Sequence, residues 1–525
     1  MCDDLHVPSD LERALERVSF NPVTLNLDVR SDVLGALGGD ARYVIDSFLD
    51  GTRLDLWKFL REGWSSDAAA RERYETVGPQ ARLELHLAIS AYHHEATHKV
   101  DLLTSPLGVS WLTLLMDEYA LFEFYIPFVL QDAARPDGLE IYRHISAGSM
   151  PEVLRQNPDP ELWKAVERQV LRSLAWGDMR YRKPLGEVKP GWQGMGRDLP
   201  LRLFGQKTHY ELIEIGGIAS IRPCADPDKH VRPAAILEAK AIAAAMLWVL
   251  DVSPDPRVDI DAYWQFYYAP RRGGIRHDYY FVLDVVAGYY DHKSFDGFVR
   301  EVCGTFSGTE AKARLREFLL IVTGVCWYAL HTPPMRDRRE FFLRGLSPAA
   351  RLVGGLHEAL PLLLRQYEAG GFEYSGMKEP SVEKGYSAAR LAEEIDISET
   401  AHQLEQYSLE EAMARSRRIL DCACNYDGVK DPDVRAWFRS IARLMRPHFD
   451  RETYASRIGM PDDGNPWNAL RTNADADLLH DTPQPQGRMA EWFRLRRDLL
   501  FLNTSRKDFD DRFVIEVSAL FGVCR

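Results

Sequence analysis

Cysteine is scarce in this chain: 525 residues carry seven, and none forms a CxxC pair. An odd number at that density argues against a disulfide framework or a Cys-rich zinc site and fits a reducing compartment. The closest pair, Cys422-Ala423-Cys424, reads as small residues on a helix. The start, Met1-Cys2-Asp3-Asp4, lacks the basic stretch and apolar core of a signal peptide. Long hydrophobic runs are missing as well. The run Ala241–Leu250 reaches only about ten residues, too short for a bilayer, and the stretch 111–130 is broken by Asp117, Glu118 and Glu123. These absences predict a cytoplasmic protein with no membrane span.

Positive charge is in deficit. Lys and Arg number 65 against 78 Asp and Glu, a formal net charge of -13, so nucleic acid is not expected as a partner. The Arg-rich runs at 415–418 and 494–497 sit in helical patterns and read as solvated faces. Arg exceeds Lys, as in a GC-rich bacterial source. The phosphate loop GxxxxGK[ST], the GxGxxG fingerprint and the GxSxG elbow are all absent, leaving nucleotide-driven and serine-hydrolase chemistry without support.

What is present is a helical protein with an ordinary core: 46% hydrophobic and 27% charged residues. Ser9-Asp10-Leu11-Glu12 has the form of a capping box opening a helix toward Val18. Helical spacing runs over Asp40–Glu62, and Gly78-Pro79 then punctuates the chain. Gln80–Leu103 has neither Gly nor Pro and keeps helical spacing. Ser105-Pro106-Leu107-Gly108 breaks it, and a second helix is expected from about Val109 to Gln131. Further helices are predicted at Asp159–Ala175, Pro233–Val252, Ala311–His331, Ala388–Ala401, Leu409–Cys424, Val434–Met445 and Gln486–Leu502. Alternation over His209–Arg222 predicts a minor β element, 178–197 a loop, and the aromatic wealth of 264–290 a core. The organisation expected is a mainly α, multi-helix metalloenzyme-like domain over 1–369, a linker over 370–387 and a helical C-terminal region over 388–525.

The motif that carries chemistry is His94-Glu95-Ala96-Thr97-His98. On a helix, residues four apart share a face one turn apart, which lets two imidazoles bind one metal. Leu87, Ala91, His94 and His98 form one stripe, so the histidines continue an apolar face, and a metal can satisfy a buried imidazole. His93 is read as a neighbour. Glu95 is the expected general base on a metal-bound water. A third ligand is needed. The metzincin pattern fails, because Asp101 and Thr104 stand where it requires Gly and His. Asp101 shares the stripe but lies about 10 Å along the axis from His94, too far to join its coordination sphere.

The HExxH run followed by helix, turn and helix resembles the gluzincins, the thermolysin-like and aminopeptidase-like zinc enzymes. That resemblance covers some thirty residues. It implies a glutamate ligand on the next helix, which here is Glu118 in Met116-Asp117-Glu118-Tyr119-Ala120, with Tyr119 replacing the usual glycine. Glu238, in Leu237-Glu238-Ala239-Lys240-Ala241, fits the Glu-x-x-Ala pattern better from far downstream, and the two remain open. An oxyanion-stabilising Tyr or His is also implied, with His209, Tyr210, His277 and His292 available.

Three functions follow as expectations. The first is a zinc-dependent, peptidase-like hydrolase acting on a peptide or small molecule, with Glu95 catalytic and zinc held by His94, His98 and Glu118 or Glu238. The second is a non-haem iron oxygenase, since two His and one carboxylate also suit Fe(II). A di-iron form would draw on Glu84, Glu123 and Glu140 with His144. The third is a non-enzymatic helical scaffold whose working surface is its C-terminal helices. The sequence leaves the oligomeric state open.

Overall fold

The computed structural model describes residues 5–15, 18–21, 26–28, 32–50, 53–54, 67–109, 198–203, 206–215, 218–223, 233–268, 277–331, 409–425 and 431–449. It also describes the single positions 112, 115, 116, 119, 352, 429 and 490. The helices expected at 159–175, 388–401 and 486–502, the loop at 178–197 and the linker at 370–387 lie outside these residues, save position 490, which is helical.

The described residues establish a mainly α fold of twelve helices. These are α1 Ser9–Leu15, α2 Asp32–Gly35, α3 Gly39–Val44, α4 Ala68–Thr76, α5 Pro79–Thr104, α6 Pro233–Val252, α7 Pro256–Tyr263, α8 His277–Tyr289, α9 Phe295–Thr305, α10 Gly308–His331, α11 Leu409–Cys424 and α12 Pro432–Met445. Antiparallel backbone pairing, among the described residues, joins Ser19–Asn21 to Asn26–Asp28 and Leu49–Asp50 to Arg53–Leu54. A third ladder joins Gln206–Ile215 to Asp198–Leu203 on one side and to Ile218–Pro223 on the other. None of the described helices is long and apolar enough to cross a membrane.

Local chemistry sets the boundaries. Gly78 occupies the N-cap of α5 and Pro79 its first position, where the missing N–H costs nothing. Asp67 caps α4, accepting from the Ala69 and Ala70 N–H groups at 3.0 Å each, and Asp431 caps α12 through the Asp433 and Val434 N–H groups. Two expectations need correction. Helix α1 begins at Ser9 itself, because the Glu12 N–H bonds to the Pro8 carbonyl (3.0 Å) and Pro8 thus takes the cap position assigned to Ser9. The helix expected over 40–62 stops at Val44. Asp46-Ser47, residues that favour turns, open a single 3-10 turn there, and Leu49-Asp50 leaves it as a paired strand.

The core is organised around α5 and α6, which lie against each other. Both are enclosed nearly all round rather than on one stripe. From Leu83 to Lys99 only Glu95 escapes full burial, and every residue from Ala239 to Leu250 is buried. Burying each Leu, Ile or Val of such a pair contributes about 1.5–3 kcal/mol. Helices α8 and α10 cover the other sides of α6, while α7 bridges α5 to α9. A ring cluster fills the space between α7, α9 and α10: Trp264 meets Phe295 at 4.7 Å between centroids, and Phe298 stacks on Phe318 at 4.5 Å. Trp264 also donates its Nε1–H to Asp296 (2.9 Å), so this part of the aromatic-rich segment serves as core. The C-terminal helices reach the same body, with α12 touching α5 and Phe438 set edge-on to Tyr119.

Beyond α5 the helix breaks at Ser105. Pro106 cannot continue the helix, and Gly108 tucks against it, so that a Cβ there would stand 1.5 Å from the Leu102 carbonyl oxygen. Its N–H donates to the Ser105 Oγ (3.2 Å). Helical conformation resumes at Pro106–Val109 and persists at 112, 115, 116 and 119.

Candidate metal centre

The two histidines project from the middle of α5 toward α6. Their Nε2 atoms stand 3.2 Å apart, with the rings nearly perpendicular. Glu238 of α6, 144 residues downstream of His94, completes the group. Its Oε2 lies 3.1 Å from the His94 Nε2 and its Oε1 3.6 Å from the His98 Nε2. Among the described residues this is the one set of three His, Cys, Asp or Glu side chains whose ligand atoms converge, all within 4.8 Å of one another. Both histidine side chains are 10% exposed and that of Glu238 20% exposed, so the group is almost wholly enclosed.

The separations fit a metal. Three tetrahedral donors bonded at about 2.1 Å lie about 3.4 Å apart, and three on one octahedral face about 3.0 Å apart. The His94–His98 separation of 3.2 Å and the His94–Glu238 Oε2 separation of 3.1 Å fall in this range, while the 3.6 Å to His98 is made by the other carboxylate oxygen; taking one donor atom per residue, all three lie within 4.8 Å of one another. Burial alone would strip the proton from His98. The Glu238 charge and hydrogen bond, helped by Glu95 and Asp101, outweigh it and push His98 up to about 9. Burial works against the Glu238 carboxylate too, yet His98 and His94 hold it well below the usual carboxylate range. The His98 imidazole and the Glu238 carboxylate thus favour each other's charged forms.

The other expected site residues fall out as follows. Glu95 is partly exposed beside the histidines. Glu118 lies outside the described residues, between buried Met116 and Tyr119. His93 is not part of the group and stacks on Trp248 of α6 at 5.0 Å. Glu84 sits about 15 Å along the helix from His94 and is engaged by the Gly38 N–H (2.7 Å) and Gln80 Nε2 (3.0 Å). That removes it from any dinuclear centre; Glu123, Glu140 and His144 lie outside the described residues. His292 is taken up by Glu301 and the Phe298 ring. The side chains of His209, Tyr210 and His277 are outside what the structure describes.

Sequence reasoning missed Lys240. It forms a buried ion pair with Asp101 of α5, right beside the histidines. The signal was there: Pro233–Val252 is almost wholly apolar, and its only charges are Glu238, Lys240 and Asp251. Charges in a helix buried on all sides must be partnered.

No family model, curated protein or solved structure matches this chain. The gluzincin resemblance therefore rests on the motif alone.

Proposed function

We propose that the protein is a mononuclear metal-dependent enzyme, with the metal held by His94, His98 and Glu238, and that its chemistry is hydrolytic. The observation that supports this is the meeting of three donor atoms from two helices, beside a partly exposed glutamate at the HExxH position. A divalent metal with three protein ligands supplies Lewis-acid polarisation and a water whose pKa falls to about 7. The chain's residues supply the rest. The two imidazoles and Glu238 would hold such a metal with three protein ligands. Glu95 follows His94 directly and is near enough for its charge to act on His98. With a metal bound, Glu95 would serve as general base toward the attacking water and then as general acid toward the leaving group. The substrate class is a peptide or a small molecule.

A second reading, a non-haem iron oxygenase, is favoured by the source of the carboxylate. The gluzincin pattern takes its third ligand from the helix after HExxH. Here Glu238 comes from a helix far downstream, and two His with one carboxylate on one face suit Fe(II) equally well.

Glu95→Gln separates these readings. In the hydrolase it retains stoichiometric zinc and loses peptide or ester turnover by at least about 100-fold. If the purified chain instead carries iron, and its turnover requires oxygen and survives Glu95→Gln, the oxygenase is correct. If the chain takes up neither metal, the helical-scaffold reading stands.

A further inference from the structure

We infer that the buried Asp101–Lys240 pair is a positioning device for the metal centre, fixing the roll and register of α6 so that the Glu238 carboxylate meets His94 and His98. The inference rests on the metal reading above and adds to it the residues that set the geometry.

Helix geometry gives the argument. Neighbouring residues on a helix are separated by about 100°. Glu238 and Lys240 therefore leave α6 on opposite flanks of Ala239, which is fully buried. Both flanking side chains nevertheless reach α5: Glu238 meets His94 and His98, and Lys240 meets Asp101. His94, His98 and Asp101 lie on one face, at successive turns. The small Ala239 lets the helices approach, and the two charged arms straddle α5.

Apolar packing and the ion pair act together on this arrangement. Several buried positions of α6 are alanine, with Ala235, Ala239 and Ala243 at helical spacing on one face. A roll of α6 by about 20° would swing a carboxylate held about 6 Å from the axis by about 2 Å, enough to break the coordination geometry. An ion pair on the opposite flank resists that roll. Its burial makes it specific. The Asp101 side chain is 2% exposed and that of Lys240 11%, and the Asp101 Oδ2 has no hydrogen-bond partner among the described residues. Cys326 of α10 lies close enough to feel both charges, and burial together with Asp101 pushes its thiol up despite Lys240. Such a pair gives little net stability over an apolar replacement, and fixing register is its best-attested use.

The test uses the full chain. In Asp101→Leu/Lys240→Met both charges leave together, so no charge is stranded and the fold is expected to melt near the wild-type temperature. Zn(II) affinity, read by competition with a chromophoric chelator, is expected to fall 10–100-fold, the range typical of lost outer-sphere support. The visible spectrum of the Co(II)-loaded protein is expected to change with it. A double variant with wild-type affinity and spectrum overturns the inference and reduces the pair to packing. Should the double variant fail to fold, Asp101→Glu keeps the charge and lengthens the arm by one methylene. Weaker Zn(II) binding at near-normal stability then supports the inference, and unchanged binding refutes it. A wild-type chain that binds neither Zn(II) nor Co(II) refutes the metal reading itself and this role with it, a result distinct from equal binding by both proteins.

Discussion

Two stretches of the same helix bury histidine in opposite ways. Near the start of α5, His86 is fully enclosed, with its Nε2 bonded to the Tyr74 hydroxyl (2.6 Å) and its ring edge-on to Trp248. Burial dominates there: with Arg82 adding to it and Asp259 opposing, it pushes His86 down to about 4. Asp259 itself is neutralised by Arg82 (3.1 Å) and bonded by Ser253 (2.6 Å). Three turns later His98 is as well buried, yet it is pushed up to about 9 because Glu238 is aimed at its ring. Burial makes a histidine neutral and inert. A carboxylate aimed at the ring of His98 reverses that effect and favours its protonated form, beside a second imidazole 3.2 Å away.

The strongest way to break that contrast is to remove the carboxylate. Glu238→Gln is expected to weaken Zn(II) binding by more than about 100-fold, beyond the range seen for outer-sphere changes, as measured by chelator competition. Retained affinity would mean that the third ligand lies elsewhere, with Glu118 next in line.

The neutral end predicts an acid sensitivity. A histidine with a folded value near 4 and an unfolded value near 6.5 contributes stability that is fully present above pH 6.5 and lost as pH falls toward 4. The loss is about 3 kcal/mol. Denaturant melts across that window, run with a chelator present, should show a shallower pH dependence in His86→Phe than in wild type. An identical slope would mean that the ring is not held neutral.

Tyr74→Phe is a smaller perturbation. It deletes the bond to His86 and is expected to cost about 1–2 kcal/mol while leaving metal content unchanged. The smallest effect is expected for His93→Phe, which keeps a ring on Trp248. Metal content should be unaltered and stability should stay within about 1.5 kcal/mol of wild type. Loss of metal in that variant would blur the boundary between the ligand face and the packing face of α5.

Much of this architecture was legible in the sequence, for identifiable reasons. Pro233 and an unbroken apolar run gave the bounds of α6, and amphipathic spacing gave Leu409–Cys424. Gly78-Pro79 and Ser105-Pro106 bracketed α5 correctly because a helix cannot extend through either. His94 and His98 were legible because their pairing is local, set by helical pitch alone. Glu238 was not decidable, since its approach depends on how two helices 144 residues apart pack, and periodicity carries no information about that. The Asp101–Lys240 pair was hidden for the same reason. Reading a single apolar stripe on α5 understated its burial, because Lys99 carries a charge and is nevertheless fully buried in the fold. The helix expected through 40–62 failed because its aromatic spacing mimicked a helical period across a turn at Asp46–Phe48.

The central claim is that His94, His98 and Glu238 bind one metal ion. Elemental analysis of the chain purified without added metal, beside His94→Ala/His98→Ala, tests it most directly. The account predicts stoichiometric zinc or iron in the wild type and its loss in the double variant, with the helical circular dichroism of both proteins alike. Equal metal in the two proteins, or none in either, would contradict it.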